Sequence, residues 1–304
     1  MPKKSSAPSP KKTHWRLWVT GARLRTLPLA VAPVALGSGV AAENQHFHLG
    51  LALLALCVAL FLQIGVNFSN DYSDGIRGTD DFRVGPARLT GSKLVAASKV
   101  KNAAWISFAI AAVAGLIATV ATANWWFIAV GAVAIVAAWF YTGGKKPYGY
   151  AGLGEVVVFV FFGLVATVGT AYLQVGYLAG DAVVGGVALG CLASAVLLIN
   201  NIRDIKTDQP AGKRTLAVLL GRRWATVLYL GLLWFPFLLL VPFFLLYPAT
   251  FMAYASLLLV VPASILAVKQ GQPSELITAL KLTSYAALSY GVLLGWGLAI
   301  VYFG

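Results

Sequence analysis

Nine stretches of about twenty predominantly apolar residues divide this chain, near 24–42, 51–70, 103–121, 124–141, 153–175, 183–201, 224–246, 249–268 and 279–303. A helix needs about 20 such residues to cross the hydrocarbon core. Inside lipid only helices and closed barrels satisfy their own backbone polar groups, so the pattern predicts an all-α membrane protein with nine transmembrane helices around a central cavity. Charge supports that solvent: only 11% of the 304 residues are charged, against about 25% in soluble domains. Joins as short as Ala123–Asn124 and Pro248 predict antiparallel hairpins. Cys57 and Cys191 lie inside apolar runs and read as small packing residues.

Sidedness follows from the cations. With nine crossings, all 23 Lys and Arg fall on the side of the N-terminus, counting Arg23, Arg25 and Lys281 at helix ends. The opposite loops carry only Glu43 and Asp181 as charged residues. Positive residues mark the cytoplasm. The N-terminus is therefore expected inside, with the cavity opening to the cytoplasmic side of the cell membrane. Residues 1–22 read as a flexible basic tail and 23–304 as a single transmembrane domain. The net charge of +13 is spread over membrane-edge loops, which fits orientation and anionic lipid and argues against nucleic acid.

Most of the acidic residues fall in two segments on that side. The first runs Asn67-Phe-Ser-Asn70-Asp71-Tyr-Ser-Asp74-Gly-Ile-Arg77-Gly-Thr-Asp80. The second runs Asn200-Asn-Ile-Arg-Asp204-Ile-Lys-Thr-Asp208. Both contain Asn-x-x-x-Asp, a spacing that puts two oxygen donors on one helix face. Basic residues follow each segment: Arg88 after the first, Lys213 and Arg214 after the second. Carboxylates and carbonyl oxygens suit Mg²⁺, which commonly completes its shell with substrate phosphates. Arg and Lys then take the remaining phosphate oxygens. The pair of segments thus predicts a Mg²⁺–diphosphate site. A third segment, Tyr141-Thr-Gly-Gly-Lys145-Lys-Pro-Tyr148-Gly-Tyr150 followed by Glu155, reads either as ordinary interfacial composition or as a surface that orients an aromatic acid. His14, His46 and His48 lie in the tail or on the far side, so histidine catalysis is not expected. A cation transporter is the rival class, but no acidic residues line the far half of the helices. The string required by CDP-alcohol phosphotransferases is absent.

With these residues in place the chain resembles the UbiA superfamily of intramembrane polyprenyl-diphosphate:aromatic prenyltransferases. The likeness rests on Arg23-x-x-Thr26-Leu-Pro, Asn70-Asp71-x-x-Asp74 and Asp204-x-x-x-Asp208, and extends over nearly the whole chain. The last carboxylate of the first motif is shifted to Asp80, with Gly78 in the general position. That form, with Tyr141-Thr-Gly-Gly and Asn200-Asn-x-Arg-Asp204, is similar to the branch acting on 1,4-dihydroxy-2-naphthoate to make menaquinone precursors. The resemblance implies Mg²⁺ held by Asn70, Asp74, Asp80, Asp204 and Asp208, and diphosphate held by Arg23, Arg77, Arg88, Lys213 and Arg214. Asp71, Tyr141 and Lys145 are the expected catalytic or acceptor-orienting residues, with Asn67 and Asn200 as additional polar members. The implied substrates are a polyprenyl diphosphate and 1,4-dihydroxy-2-naphthoate, with 4-hydroxybenzoate or homogentisate as alternative acceptors.

Overall fold

The computed structural model describes residues 14–79, 88–269 and 272–303, and no β-strand occurs among them. The helices are α1 (His14–Ala22), α2 (Pro28–Glu43), α3 (Leu49–Arg77), α4 (Ala97–Thr122) and α5 (Trp126–Phe140). They continue with α6 (Gly154–Val175), α7 (Gly180–Asp208), α8 (Leu216–Leu246), α9 (Pro248–Val268) and α10 (Pro273–Phe303). Each expected apolar stretch coincides with one of α2 to α10. Seven of them are long and apolar enough to cross a bilayer, and α1 with α2, bent by 52°, would count as one more. Helix α5 has 15 residues, about 22 Å of rise.

Three boundaries differ from the sequence expectation in ways that matter. Both helices run past the expected apolar stretches, α3 to Arg77 and α7 to Asp208, so the Asn-x-x-x-Asp spacings lie on helix as their period required. The supposed tail is helical from His14, because Leu17 and Trp18 pack against α3, with Trp18 edge-on to Phe68 at 5.7 Å. Residues 1–13 lie outside the described part. The first span begins only at Pro28, after Arg23 adopts a left-handed conformation (φ 54°, ψ 62°) and breaks the chain from α1.

Small residues let the central helices touch. A Cβ on Gly295 of α10 would lie 2.6 Å from the Ala35 carbonyl of α2, and one on Gly163 of α6 would lie 2.4 Å from Gly190 Cα of α7. Such close backbone approach is how helices gain packing energy in lipid, where burial of apolar surface supplies little. Around Gly163 the helix α6 widens into a π-helical segment, Phe159–Val165, a form often found beside functional sites.

At the far face the two charged loop residues meet. The Tyr247 hydroxyl lies 3.2 Å from Glu43 Oε1 and 3.1 Å from Asp181 Oδ2. This contact joins the ends of α2 and α8 to the start of α7. From Asp181 to Arg203, α7 rises about 33 Å, close to the hydrocarbon thickness of about 30 Å.

Candidate active site

The Asp segments end α3 and α7, and their carboxylates are buried. Asp71, Asp74, Asp204 and Asp208 are 1%, 3%, 7% and 8% exposed. Ionised groups so placed need partners. Asp74 accepts a hydrogen bond from the Tyr150 hydroxyl at 2.8 Å, and its other oxygen lies 3.5 Å from the Arg88 guanidinium. Asp204 is held bidentately by its neighbour Arg203, at 2.7 and 2.5 Å. Asp208 pairs with Lys213 at 3.7 Å. Asn70 turns its Oδ1 to the Thr142 hydroxyl at 2.8 Å.

Asp71 has a different task. Its two carboxylate oxygens accept the backbone amides of Leu89 and Thr90, both at 2.8 Å. The carboxylate thereby ties the turn carrying Arg88 to α3, one helical turn before Asp74. Each Asp71 oxygen thus already carries one hydrogen bond from the turn.

The loop between α5 and α6 bridges the motifs. Tyr150 bonds Asp74, while the Arg77 guanidinium stands 5.6 Å and Lys213 Nζ 5.2 Å from its ring centroid. The Arg214 amide donates to the Tyr150 carbonyl at 3.0 Å. Arg77 donates to the carbonyls of Thr142 and Gly144. These bonds tie the loop to the end of α3. Tyr141 follows α5 directly, with its ring edge-on to Tyr148 at 5.5 Å. Lys145 and Arg214 are exposed, and nothing brings the Lys145 side chain toward the carboxylates.

On the opposite side, Asn67 donates to the Ala22 carbonyl at 2.9 Å and to the Thr26 hydroxyl at 3.1 Å. This fastens the Arg23 break to α3. Asn200 is half-buried on α7. Asp80 lies outside the described residues. Below the polar groups lies an apolar cavity of about 440 Å³, bounded by α2 to α6 and lined by Leu62, Ala111, Phe127, Tyr141, Tyr148 and Phe161 among others.

Thr142, Tyr150, Asn201 and Arg203 are site residues that motif reasoning passed over. Arg203 and Asn201 carried a signal, being polar groups on the last turns of an apolar helix. Thr142 and Tyr150 lie in the Tyr141–Tyr150 segment that the sequence offered as an acceptor surface, but nothing in it tied them to Asn70 and Asp74.

Among the described residues no three carboxylates or imidazoles gather around one point. The donors are nonetheless all oxygen, and those on α7 recur at i and i+4. Asp74, Asp204 and Asp208 each face an Arg or Lys. That chemistry fits a hard divalent ion whose shell is completed by a phosphate substrate.

The profile of the UbiA prenyltransferase family matches residues 30–285. The chain belongs to the UbiA prenyltransferase family. Over 216 residues it is 56% identical to a Mycobacterium tuberculosis protein named 1,4-dihydroxy-2-naphthoate octaprenyltransferase, covering 71% of this chain and 74% of that relative. A Haemophilus influenzae protein of the same name is 37% identical over 299 residues, 94% of this chain and 96% of the relative. Among solved UbiA structures, an Archaeoglobus fulgidus homologue bound to DMAPP and Mg²⁺ superposes with a TM-score of 0.63 at 16% identity, covering 91% and 98% of the two chains. The apo homologue from Aeropyrum pernix K1 gives 0.67 at 16% identity, covering 90% and 97%. UbiA membership and the all-helical fold thus agree with what the Asn-Asp-x-x-Asp and Asp-x-x-x-Asp segments implied.

Proposed function

We propose that this UbiA protein transfers a polyprenyl group from polyprenyl diphosphate to 1,4-dihydroxy-2-naphthoate, releasing diphosphate and CO₂ and giving demethylmenaquinol. The observation that carries this reading is the pair of buried oxygen-donor segments, each already matched to cations, in a chain whose similar relatives bear that activity in their names. Nine crossings with the N-terminus and site at the cytoplasmic face of the cell membrane follow from the distribution of Lys and Arg. The fold as a whole then forms one domain.

Asn70, Asp74, Asp204 and Asp208 would hold Mg²⁺, with Asp80 as a further ligand. Bound there, the ion supplies Lewis-acid stabilisation of the charge that develops on the departing diphosphate. Arg88 and Lys213 are half or more buried beside those carboxylates and take the phosphate oxygens. Arg23 and Arg214 stand at the rim as longer-range cations. Tyr150 keeps Asp74 oriented, and Asp71 keeps the Arg88 turn in place. Tyr141, neutral, donates toward the acceptor. The apolar cavity receives the first isoprene units and excludes water from the allylic centre. Lys145 contributes nothing beyond surface charge.

The test is direct. Purified protein receives Mg²⁺, farnesyl diphosphate and a mixture of 1,4-dihydroxy-2-naphthoate, 4-hydroxybenzoate and homogentisate, with products read by mass spectrometry. Prenylated naphthol without the carboxyl group is expected. Preference for 4-hydroxybenzoate would overturn the acceptor, and no prenylated product at all would overturn the activity.

A further inference from the structure

One more carboxylate is buried at this end of the molecule, and neither Asp segment contains it. Glu155, 4% exposed, opens α6. Asn201 of α7 donates its Nδ2 to Glu155 Oε1 at 2.9 Å, and Ser194 donates to the Glu155 carbonyl at 2.8 Å. Asn201 precedes Asp204 by three residues and Asp208 by seven, a spacing that puts all three on one helix face. The Asn201 contact therefore brings Glu155 to the same side of α7 as the diphosphate-facing carboxylates.

The other side of Glu155 is apolar. The Tyr141 ring packs on the preceding residue, so that a Cβ on Gly154 would stand 3.3 Å from its Cε2 and 3.4 Å from its hydroxyl oxygen. The cavity wall includes Tyr141, Tyr148, Val157 and Val158. Glu155 thus occupies the boundary between the phosphate-binding groups and the chamber for the isoprenoid. An acceptor ring must stand there to meet the allylic carbon.

Its charge is treated differently from the others. Asp74, Asp204 and Asp208 each face an Arg or Lys. Among the described residues no cation pairs with Glu155, whose partner is a neutral amide. A glutamine would fill the same space and accept the same Asn201 bond without the cost of burying a charge. A carboxylate has acceptor capacity for about four hydrogen bonds; the Asn201 amide and the residue's own backbone N–H leave room for an acceptor hydroxyl. The helix N-terminus beneath it favours negative charge.

We propose that Glu155 is a catalytic residue for the prenyl transfer, the base that accepts the phenolic proton of the aromatic acceptor. The proposal rests on the prenyltransferase reading above. As the ring carbon bonds to the allylic carbon, the carbon–oxygen bond to diphosphate breaks and diphosphate leaves with that electron pair. The acceptor O–H bond breaks in concert: its proton passes to Glu155 and its electrons form a ring ketone. The bond from the ring to its carboxylate then breaks, CO₂ departs, and the released electrons restore the aromatic ring. The oxygen recovers the proton from Glu155, which ends as it began, and no oxidant or reductant is consumed.

The experiment compares wild type, Glu155→Gln and Glu155→Asp in detergent with Mg²⁺, farnesyl diphosphate and 1,4-dihydroxy-2-naphthoate. Turnover is followed by mass spectrometry, and binding of Mg²⁺ with farnesyl thiolodiphosphate by calorimetry. A positioned base contributes typically 10²–10⁴-fold. Glu155→Gln should therefore lose at least about 100-fold in kcat while binding the thiolodiphosphate within about threefold of wild type. Glu155→Asp should recover at least about tenfold of that loss. A Glu155→Gln enzyme within about threefold of wild-type kcat overturns the proposal, because a purely structural glutamate tolerates this change. Loss of thiolodiphosphate binding together with turnover also overturns it, by placing the residue in the diphosphate site or the fold. If wild type itself makes no prenylated naphthol, the functional reading fails first and carries this one with it.

Discussion

Asp71→Asn separates a positioning role from a chemical one. The wild-type carboxylate accepts two amides at 2.8 Å, from Leu89 and Thr90, and a hydrogen bond to a charged group contributes about 1.5–3 kcal/mol. Asparagine keeps one acceptor oxygen and turns an NH₂ toward the other amide. One bond is lost, so docking of the 88–90 turn on α3 weakens by about 1.5–3 kcal/mol, roughly 10- to 150-fold in the local closing equilibrium. Asp71→Ala loses both bonds and should release the turn more fully. Hydrogen exchange read by mass spectrometry on peptides containing Leu89 and Thr90 should accelerate in that order. Affinity for Mg²⁺ with farnesyl thiolodiphosphate should fall in parallel, because Arg88 no longer faces Asp74. Arg88→Ala should weaken that binding in the wild-type background and add little in the Asp71→Ala background, the non-additivity of residues acting as a unit. The reasoning is refuted if Asp71→Asn abolishes turnover while exchange at Leu89 and Thr90 is unchanged, since the carboxylate would then be acting on substrate.

Tyr150→Phe removes the 2.8 Å bond to Asp74, and a Mg²⁺ titration should show about a tenfold higher half-maximal concentration with kcat held within about threefold. Lys145→Ala, at an exposed position, should change kcat/KM by less than about twofold in the same product assay; a larger loss would restore it to the site. EDTA should abolish turnover reversibly, yet leave the thermal melting temperature within a few degrees, because Arg88, Arg203 and Lys213 already neutralise the carboxylates; a large fall in melting temperature would show that the fold needs the ion. Gly163→Val places a Cβ 2.4 Å from Gly190 Cα and 2.5 Å from the Gly186 carbonyl, so size-exclusion profiles in detergent should show little folded protein.

What the sequence made legible were features with local period. Apolar run lengths located α2 to α10, and the four-residue spacings Asn70/Asp74 and Asp204/Asp208 found the helix faces that meet at the site. The cations on the 88–90 turn and after α7 were also legible, because they follow their motifs directly. The hold of Asp71 on the 88–90 turn was not legible, since its partners are two backbone amides 18 and 19 positions away, and backbone amides leave no trace in residue identity. The partners of Arg77 were hidden for a related reason: its bonds go to carbonyls of Thr142 and Gly144. The break at Arg23 gave no warning, because a left-handed conformation there belongs to an ordinary residue and not to glycine. The π-helical Phe159–Val165 is equally silent, since its composition is that of any apolar helix. Glu155 stood out as a lone acid opening an apolar run, but only its contact with Asn201, 46 positions on, shows which face it serves.

The Tyr247 contact with Glu43 and Asp181 has an electrical consequence. Between that polar layer and the Asp segments, the apolar cores of α2 to α10 contain no ionisable Lys, Arg, Asp or Glu over about 33 Å of rise along α7. The staple closes the far end of the bundle, and the interior behind it is a dielectric. The carboxylates and cations of the site therefore stand against a low-dielectric wall, where charges interact more strongly than in water.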